Sequence, residues 1–127
     1  MKYFVICAVR KADKEYSDYI AALVNKYEEE GHEVYWPARD TDQDDPIGYR
    51  ICVDNRAAIE NADAILFAWD GESTGSLFDL GIAWMARKEI VIIPYFMPPV
   101  VEGKKSYQAM AALWEDIGAN GQHPPFP

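Results

Sequence analysis

Apolar and polar positions follow one another along this chain in blocks whose lengths fit the strands and helices of an α/β protein. Continuous apolar runs of strand length occupy residues 3–9 and 64–69. Two further strands are predicted at residues 89–95 and, shorter, at residues 33–36, each a largely apolar stretch that begins with a glutamate. Between these runs apolar residues recur every three or four positions, as in amphipathic helices. Strands that are apolar throughout are covered on both faces, so the pattern predicts a parallel sheet between layers of helices.

Local signals mark the ends of the first and last helices. Asp13 is placed to cap a helix that Gly31 ends, and Ser106 is placed to cap a last helix over residues 107–117. The tail at residues 119–127 is irregular in composition. We expect it either to be mobile or to reach a neighbouring subunit.

A middle helix is predicted to begin at Asp45-Pro46, after a polar, acidic loop over residues 39–45. Its inward stripe at helical spacing includes one carboxylate, Asp54, among apolar residues; the stripe consists of Ile47, Ile51, Asp54, Ala58 and Ala62. A buried carboxylate needs a partner or an opening to a cavity. Arg50, one turn earlier, is the local partner, and a cavity is the alternative; both interpretations stay open.

The most informative stretch is the strand, glycine-containing loop and helix over residues 64–86. The strand ends at Asp70, residues 71–76 form the loop, and a helix is predicted over residues 77–86. Ser76 and Asp79 have the spacing of a capping box. Alternatively, Asp79 is a nucleophile or charge stabiliser that the helix dipole keeps ionised in the first turn. The two roles are compatible.

This element order predicts a doubly wound, three-layer α/β sandwich, most simply flavodoxin-like. We expect a parallel sheet of four to five strands in the order 2-1-3-4, within one domain over residues 1–127. Ligands bind at the carboxyl ends of such sheets, where the strand order reverses. Here that point lies between strands one and three, where Arg10, Asp70 and residues 73–79 converge.

Composition narrows the class of partner. The formal charge is -9, from 21 acidic and 12 basic residues, which argues against a nucleic-acid polymer or an anionic membrane as partner. Neither Cys7 nor Cys52 lies in a C-x-x-C pair, and no stretch reaches the length of a membrane span, so we expect a cytoplasmic protein.

No metal or cofactor is predicted. His32 and His123 lack metal-ligand spacing and are expected at the surface, and the acidic loop over residues 40–45 is more typical of a solvated loop than of a cation site. No phosphate-loop or dinucleotide fingerprint is present. Trp36, Trp69 and Tyr95 are candidates for stacking on a base, with core packing as the alternative.

Two motifs carry a resemblance to a known family. They are the loop pattern Ser73-x-Gly75-x-x-x-Asp79-x-Gly81 and the upstream pattern D-N-x-x-A-I-x-x-A-D, which begins at Asp54. Together they resemble the nucleoside 2-deoxyribosyltransferase family, which includes the 2'-deoxynucleoside 5'-phosphate N-hydrolases. The resemblance implies cleavage of an N-glycosidic bond, with water or a second base as the acceptor. It also implies a small-molecule nucleoside or nucleotide as partner.

The resemblance assigns roles to the matching positions. Asp79 would be the nucleophile and Asp54 a second acid, if the middle helix is rotated to present it. Six residues would contact the ligand: Arg10, Asn55, Asp70, Ser73, Gly75 and Ser76. Gly75 would let the backbone approach the ligand, and Arg10 stands where the phosphate-hydrolase branch has an arginine.

Three positions depart from the family pattern. Asp79 replaces a glutamate, Asn55 replaces an aspartate, and residues 8–12 lack the glycines of the hydrolase loop. Such changes affect catalysis more than binding, so a non-catalytic nucleotide sensor is the alternative function. A third possibility is an interaction module whose loop only caps a helix. The family completes its sites across a subunit interface, which implies a homodimer or a higher homo-oligomer.

Overall fold

A computed structural model of the protein describes residues 1–118, which form four strands and five helices. The tail and His123 lie outside the described residues, so the predictions on them stay predictions. The elements in chain order are β1 (Lys2–Ile6), α1 (Lys14–Glu29), β2 (Glu33–Tyr35), α2 (Pro37–Asp40), α3 (Tyr49–Asn61), β3 (Ala64–Phe67), α4 (Thr74–Met85), β4 (Glu89–Ile92) and α5 (Tyr107–Ile117).

All strands of the sheet are parallel, in the order β2-β1-β3-β4. This confirms the predicted α/β fold and strand order, with four strands among residues 1–118. The strands are shorter than the apolar runs that predicted them. The paired part of β1 against β3 ends at Ile6 and Phe67, whereas the apolar runs continue to residues 9 and 69.

Alternating side chains of β1 build the core on the two faces of the sheet. Phe4 and Ile6 are fully buried on one face together with side chains of α3, α4 and α5, whereas Val5 is fully buried on the other face against α1. Helices therefore cover both faces, and the predicted three-layer arrangement is confirmed. Burying side chains of this size stabilises the fold by roughly 1.5–3 kcal/mol each.

The predicted start of the middle helix is wrong. The helix α3 begins at Tyr49, after Gly48 with φ of 86°, and not at Pro46. Asp45 instead accepts hydrogen bonds from the amides of Ile47 and Ile51, at 3.2 and 3.1 Å, and so orders the approach to the helix. The preceding loop is also partly helical, because Pro37–Asp40 forms the short helix α2.

The predicted inward stripe of this helix is also wrong. Ile47 lies before α3 and is 88% exposed, while Asn55 and Ile59 are the buried residues of α3. Asp54 is half-buried beside that stripe. Asn55 lies four residues after Ile51 and four before Ile59, so the buried stripe is rotated by one position from the predicted one.

Within residues 1–118, no helix is long and apolar enough to span a membrane.

Candidate functional site

The candidate site lies where β1 and β3 end, beside each other in the middle of the sheet. The chain leaves β1 toward β2 on one side and later leaves β3 toward β4 on the other. This is the reversal point at which open α/β sheets bind ligands. Residues 7–12 follow β1 there, and residues 68–73 follow β3.

Asp70 orders the loop that follows β3. Its Oδ1 atom accepts hydrogen bonds from the amides of Glu72 and Ser73, at 2.9 and 2.8 Å. This Asx-type turn holds the backbone in place for the helix that follows. Gly71, with φ of 85°, makes the turn possible, and a Cβ atom there would lie 2.7 Å from Cγ of Pro98. Asp70 thus shapes the loop, and contact with a ligand remains a prediction for it.

Ser73, and not Ser76, caps the helix α4. The Ser73 hydroxyl accepts a hydrogen bond from the Ser76 amide at 3.2 Å, and its carbonyl accepts one from the Trp69 indole at 3.1 Å. The helix therefore begins at Thr74, three residues earlier than predicted. The predicted capping box of Ser76 and Asp79 is wrong, because Asp79 lies in the second turn of α4.

Asp79 is buried without a compensating partner. The residue is 9% exposed, and its carboxyl makes no hydrogen bond or ion pair within residues 1–118. Burial raises the pKa of Asp79 to about 7. The prediction that the helix dipole keeps this carboxylate ionised is therefore wrong, since desolvation opposes ionisation here. Near neutral pH both protonation states of the carboxyl are populated.

Ser76 carries a second unsatisfied polar group on the same helix. It is 1% exposed, and its hydroxyl oxygen has no hydrogen-bond partner within the described part of the chain. Ser76 and Asp79 are three residues apart, so both contribute to the buried face of α4. Unsatisfied buried hydroxyls are uncommon and are usually explained by a water or a ligand.

Cys7 lies at the base of the site and was missed as a site residue. The pKa of its thiol is raised to about 12, chiefly by burial; a hydrogen bond from Trp36 lowers it, and the charges of Asp79 and Asp70 contribute to the rise. The thiol is therefore neutral at physiological pH and is not an activated nucleophile. Its position as the residue that follows β1, at the carboxyl edge of the sheet, is a signal that could have identified it.

Asn55 reaches the same region from the neighbouring helix. It is 7% exposed, and its Oδ1 atom accepts a hydrogen bond from Thr41 at 2.7 Å. The Thr41 hydroxyl is also 2.6 Å from the Tyr35 hydroxyl, so three polar side chains hold one another. The amide Nδ2 of Asn55 has no partner among the described residues. The helices α3 and α4 pack together. Asn55 lies six residues after the first residue of α3, and Asp79 lies five residues after the first residue of α4, so both are about halfway along their helices.

Three predicted site residues remain, namely Arg10, Gly75 and Asp54. Arg10 is exposed, lies in the turn after β1 and has no partner within residues 1–118. Gly75 is the second residue of α4, and a Cβ atom there would meet only Ser73 Oγ, at 3.9 Å, so the chain itself does not require glycine. Gly75 and Asp54 both lie outside the buried faces of their helices, Gly75 exposed on α4 and Asp54 half-buried on α3.

The other candidates from the sequence lie elsewhere or pack in the core. The ring of His32 lies 3.0 Å from the N-terminal amine, at the opposite edge of the sheet. Trp69 is 6% exposed and stacks on Phe67 in the core, whereas Tyr95 is 63% exposed and stacks on Tyr19. Among the described residues, no group of three or more acidic, cysteine or histidine side chains could hold a metal ion.

Tyr16 was also missed as a site residue, because a tyrosine at an apolar position of a helix is usually a core residue. Its hydroxyl accepts a hydrogen bond from the Ala8 amide at 3.0 Å and donates one to the Ala68 carbonyl at 2.5 Å. The residue is 4% exposed, and burial raises the pKa of its hydroxyl. Tyr16 therefore joins the two strand ends that form the site.

Comparisons with solved structures identify proteins of the same fold. Over 80% of its length the chain is similar to 77% of the 2-deoxyribosyltransferase from Bacillus psychrosaccharolyticus, with a TM-score of 0.59 and 15% identity. Over 87% of its length it is similar to 78% of the Clostridium botulinum CMP N-glycosidase BcmB, with a TM-score of 0.55 and 18% identity. No protein-family model and no curated protein sequence matches the chain. The resemblance found in the motifs is thus confirmed at the level of the fold.

Proposed function

We propose that this protein cleaves or transfers the N-glycosidic bond of a nucleoside or a nucleoside 5'-monophosphate. The observation that carries the proposal concerns two buried groups on α4 at the reversal point of the sheet. The Asp79 carboxyl and the Ser76 hydroxyl both lack a hydrogen-bond partner within residues 1–118. A desolvated carboxylate without a partner is costly to keep, and it stabilises a positive charge strongly. The two solved structures of the same fold bear the names of enzymes that act on such bonds.

In the proposed mechanism the ionised form of Asp79 faces the anomeric carbon of the sugar. The bond from this carbon to the base breaks, and its electron pair leaves with the base. The sugar then carries the charge of an oxocarbenium-like transition state, which the Asp79 carboxylate stabilises or captures covalently. Water as the acceptor gives hydrolysis, and a second base gives transfer.

The neighbouring side chains position the ligand. The free Nδ2 group of Asn55 is suited to donate hydrogen bonds to acceptors on the base or the sugar, while Thr41 holds the other end of the amide. The Ser76 hydroxyl would gain its missing partner from the sugar. Arg10 would supply the positive charge for a 5'-phosphate, because it is exposed in the turn after β1 and no side chain in the described part of the chain pairs with it.

The second candidate is a nucleotide sensor without turnover. The favouring observation is the pair of departures from the family pattern, since Asp79 is one methylene shorter than glutamate and Asn55 cannot act as an acid. In this case the same groups bind the ligand, and the charge of Asp79 is not used on the sugar. Binding alone would raise the melting temperature.

The test is the release of free base from deoxyribonucleosides, ribonucleosides and their 5'-monophosphates, measured by chromatography. We expect release by the wild-type protein, a loss of at least about 100-fold in Asp79→Ala, and unchanged release in the control Glu72→Gln, an exposed acid in the same loop. No release from any compound, with a nucleotide that still raises the melting temperature, supports the sensor. Neither release nor stabilisation would reject both functions.

We place this activity in the cytoplasm and in a homo-oligomer. Both cysteines are free thiols, which fits a reducing compartment. The exposed apolar side chains of Phe78, Trp84 and Met85 on α4 support assembly with further copies of the chain.

A further inference from the structure

The hydrogen-bond ladder between β1 and β3 stops abruptly at the candidate site. Its last direct bond runs from the Ala68 amide to the Ile6 carbonyl, at 2.9 Å. In a parallel ladder every second residue of β1 makes the bonds, so Ala8 follows Ile6. The next bond would therefore run from the Ala8 amide to the carbonyl of Ala68. Both groups instead bind the hydroxyl of Tyr16, which accepts from Ala8 at 3.0 Å and donates to Ala68 at 2.5 Å.

The hydroxyl of Tyr16 is held firmly in this position. The Tyr16 amide donates a hydrogen bond to the side chain of Asp13, the cap of α1, at 2.9 Å. The Tyr16 ring packs edge-on against Phe96, with 5.0 Å between the ring centroids. Since the backbone is fixed at the helix cap and the ring is fixed by this contact, the oxygen stays between the strands.

We propose that Tyr16 is a positioning residue, whose hydroxyl replaces one rung of the β1–β3 ladder and thereby keeps open the crevice in which Asp79 acts. This inference rests on the proposed function. A direct bond would bring the amide and the carbonyl to about 2.9 Å of each other. With an oxygen between them, the segment that contains Cys7 and Ala8 stays away from the segment that leads to Asp70.

Loss of the Tyr16 hydroxyl would have a different effect if the residue were only a structural anchor. If Tyr16 only anchored α1 to the sheet, its loss would destabilise the protein, but the strand ends would stay apart. If its hydroxyl spaces the strands, the Tyr16→Phe protein forms the missing rung, because an amide and a carbonyl left unpaired in a buried place find each other. The rung narrows the crevice and lowers turnover.

The experiment combines NMR spectroscopy with kinetics on the full chain. The control is Tyr19→Phe, since Tyr19 also lies on α1 and packs against Phe96, but its hydroxyl makes no hydrogen bond within residues 1–118. We expect a scalar coupling across a hydrogen bond from the Ala8 amide nitrogen to the Ala68 carbonyl carbon in Tyr16→Phe, and none in the wild-type or control proteins. We also expect kcat/KM for base release to fall at least tenfold in Tyr16→Phe and less than twofold in the control.

The coupling, the amide exchange and the kinetics can each overturn the proposed role of Tyr16. A coupling already present in the wild-type protein overturns the inference even if Tyr16→Phe does not fold. A fast-exchanging Ala8 amide without the coupling in Tyr16→Phe also overturns it, and so does a new rung with unchanged kcat/KM. If the wild-type protein releases no base, the proposed function fails, and the coupling alone decides whether Tyr16 spaces the strands.

Discussion

The environment of Asp79 disfavours the ionised form of its carboxyl. The carboxyl lies on the buried face of α4, and no cation or hydrogen-bond donor within residues 1–118 compensates its ionisation. Its folded-state pKa of about 7 compares with about 3.9 for an aspartate in an unfolded chain. A group that is unfavourable for folding and located at a ligand-binding edge is typical of a functional residue.

The pH dependence of the rate follows from this shift. The proposed nucleophile is the ionised carboxylate, so kcat/KM should rise with pH up to about 7 and level off above it. Well below that value the rate should change about tenfold per pH unit, because the ionised fraction does. The measurement is base release between pH 5 and 9 at substrate concentrations well below KM. A flat profile over this range would reject Asp79 as a nucleophile that titrates near pH 7.

The raised pKa of Asp79 should also make the free energy of unfolding fall as the pH rises. Well below pH 4 the carboxyl is neutral in the folded and unfolded states and contributes no pH dependence. Between about 4 and 7 the unfolded state loses this proton first, so the free energy of unfolding falls as the pH rises. Above about 7 the loss remains, on the order of 4 kcal/mol. The Asp79→Asn protein should lack this fall.

Urea unfolding at several pH values measures this difference. The matched control is Glu72→Gln, which also replaces an acid by its amide but at an exposed position of the same loop. We expect the control to keep the wild-type slope between pH 4 and 7. An Asp79→Asn protein with that same slope would mean that the carboxyl is not desolvated in solution.

At the residue scale the sequence identified the motif residues but not their roles. Ser73, Ser76 and Asp79 could be selected from spacing, yet which serine caps the helix depends on the turn that Asp70 imposes. Cys7 was overlooked although its position after β1 could have marked it, and nothing in the sequence pattern marked Tyr16. Both residues matter because the pairing of β1 with β3 ends beside them. The apolar runs of the sequence continue past that point, so the sequence does not show where the pairing ends.

At the scale of elements, the loop from Asp70 to Ser73 connects a strand to a helix with little freedom. Asp70 binds two loop amides, Ser73 caps α4, and Gly71 lies against Pro98 from the segment after β4. The position of Asp79 depends on this connection, because the loop fixes where α4 begins. Errors in the predicted ends of α3 and α4 have one cause: turns and caps depend on backbone geometry that composition only suggests.

Gly71→Ala tests how tightly this connection is packed. Alanine pays for the positive φ, on the order of 1–2 kcal/mol, and its Cβ would also lie 2.7 and 2.8 Å from two carbons of the Pro98 ring. The matched control is Gly31→Ala, with φ of 94° and open space around the new Cβ. We expect Gly71→Ala to lower the free energy of unfolding by about 1–3 kcal/mol more than Gly31→Ala does. Thermal and urea unfolding measure both; equal losses would mean that the Pro98 contact yields freely.

At the scale of the whole molecule, the topology could be predicted and the surface could not. Four apolar runs separated by helical spacing leave few parallel arrangements, since crossovers are right-handed and connections are short. The exposed surface depends on which helix faces remain uncovered. Three large apolar side chains of α4 are at least half exposed: Phe78 at 57%, Trp84 at 50% and Met85 at 83%.

These side chains favour the association of like chains. Phe78 and Met85 are seven residues apart, so they lie on one side of α4, with the exposed Gly81 between them. An apolar helix face that none of residues 1–118 covers is typical of an interface. The net charge of -9 opposes association through repulsion between like molecules, and salt screens that repulsion.

We therefore predict a homo-oligomer that forms through α4 and tightens as salt is added. Met85→Lys places a charge in the apolar face and should weaken self-association at least tenfold, because that charge would be desolvated in the interface. The matched control is Ile47→Lys, which adds the same charge at an apolar residue that is 88% exposed outside α4. Sedimentation equilibrium at low and at moderate salt measures both proteins beside the wild type. If both variants weaken association equally, charge and not the α4 face controls it; a wild-type monomer at all concentrations would reject assembly through α4, and the exposed helix would then need another explanation.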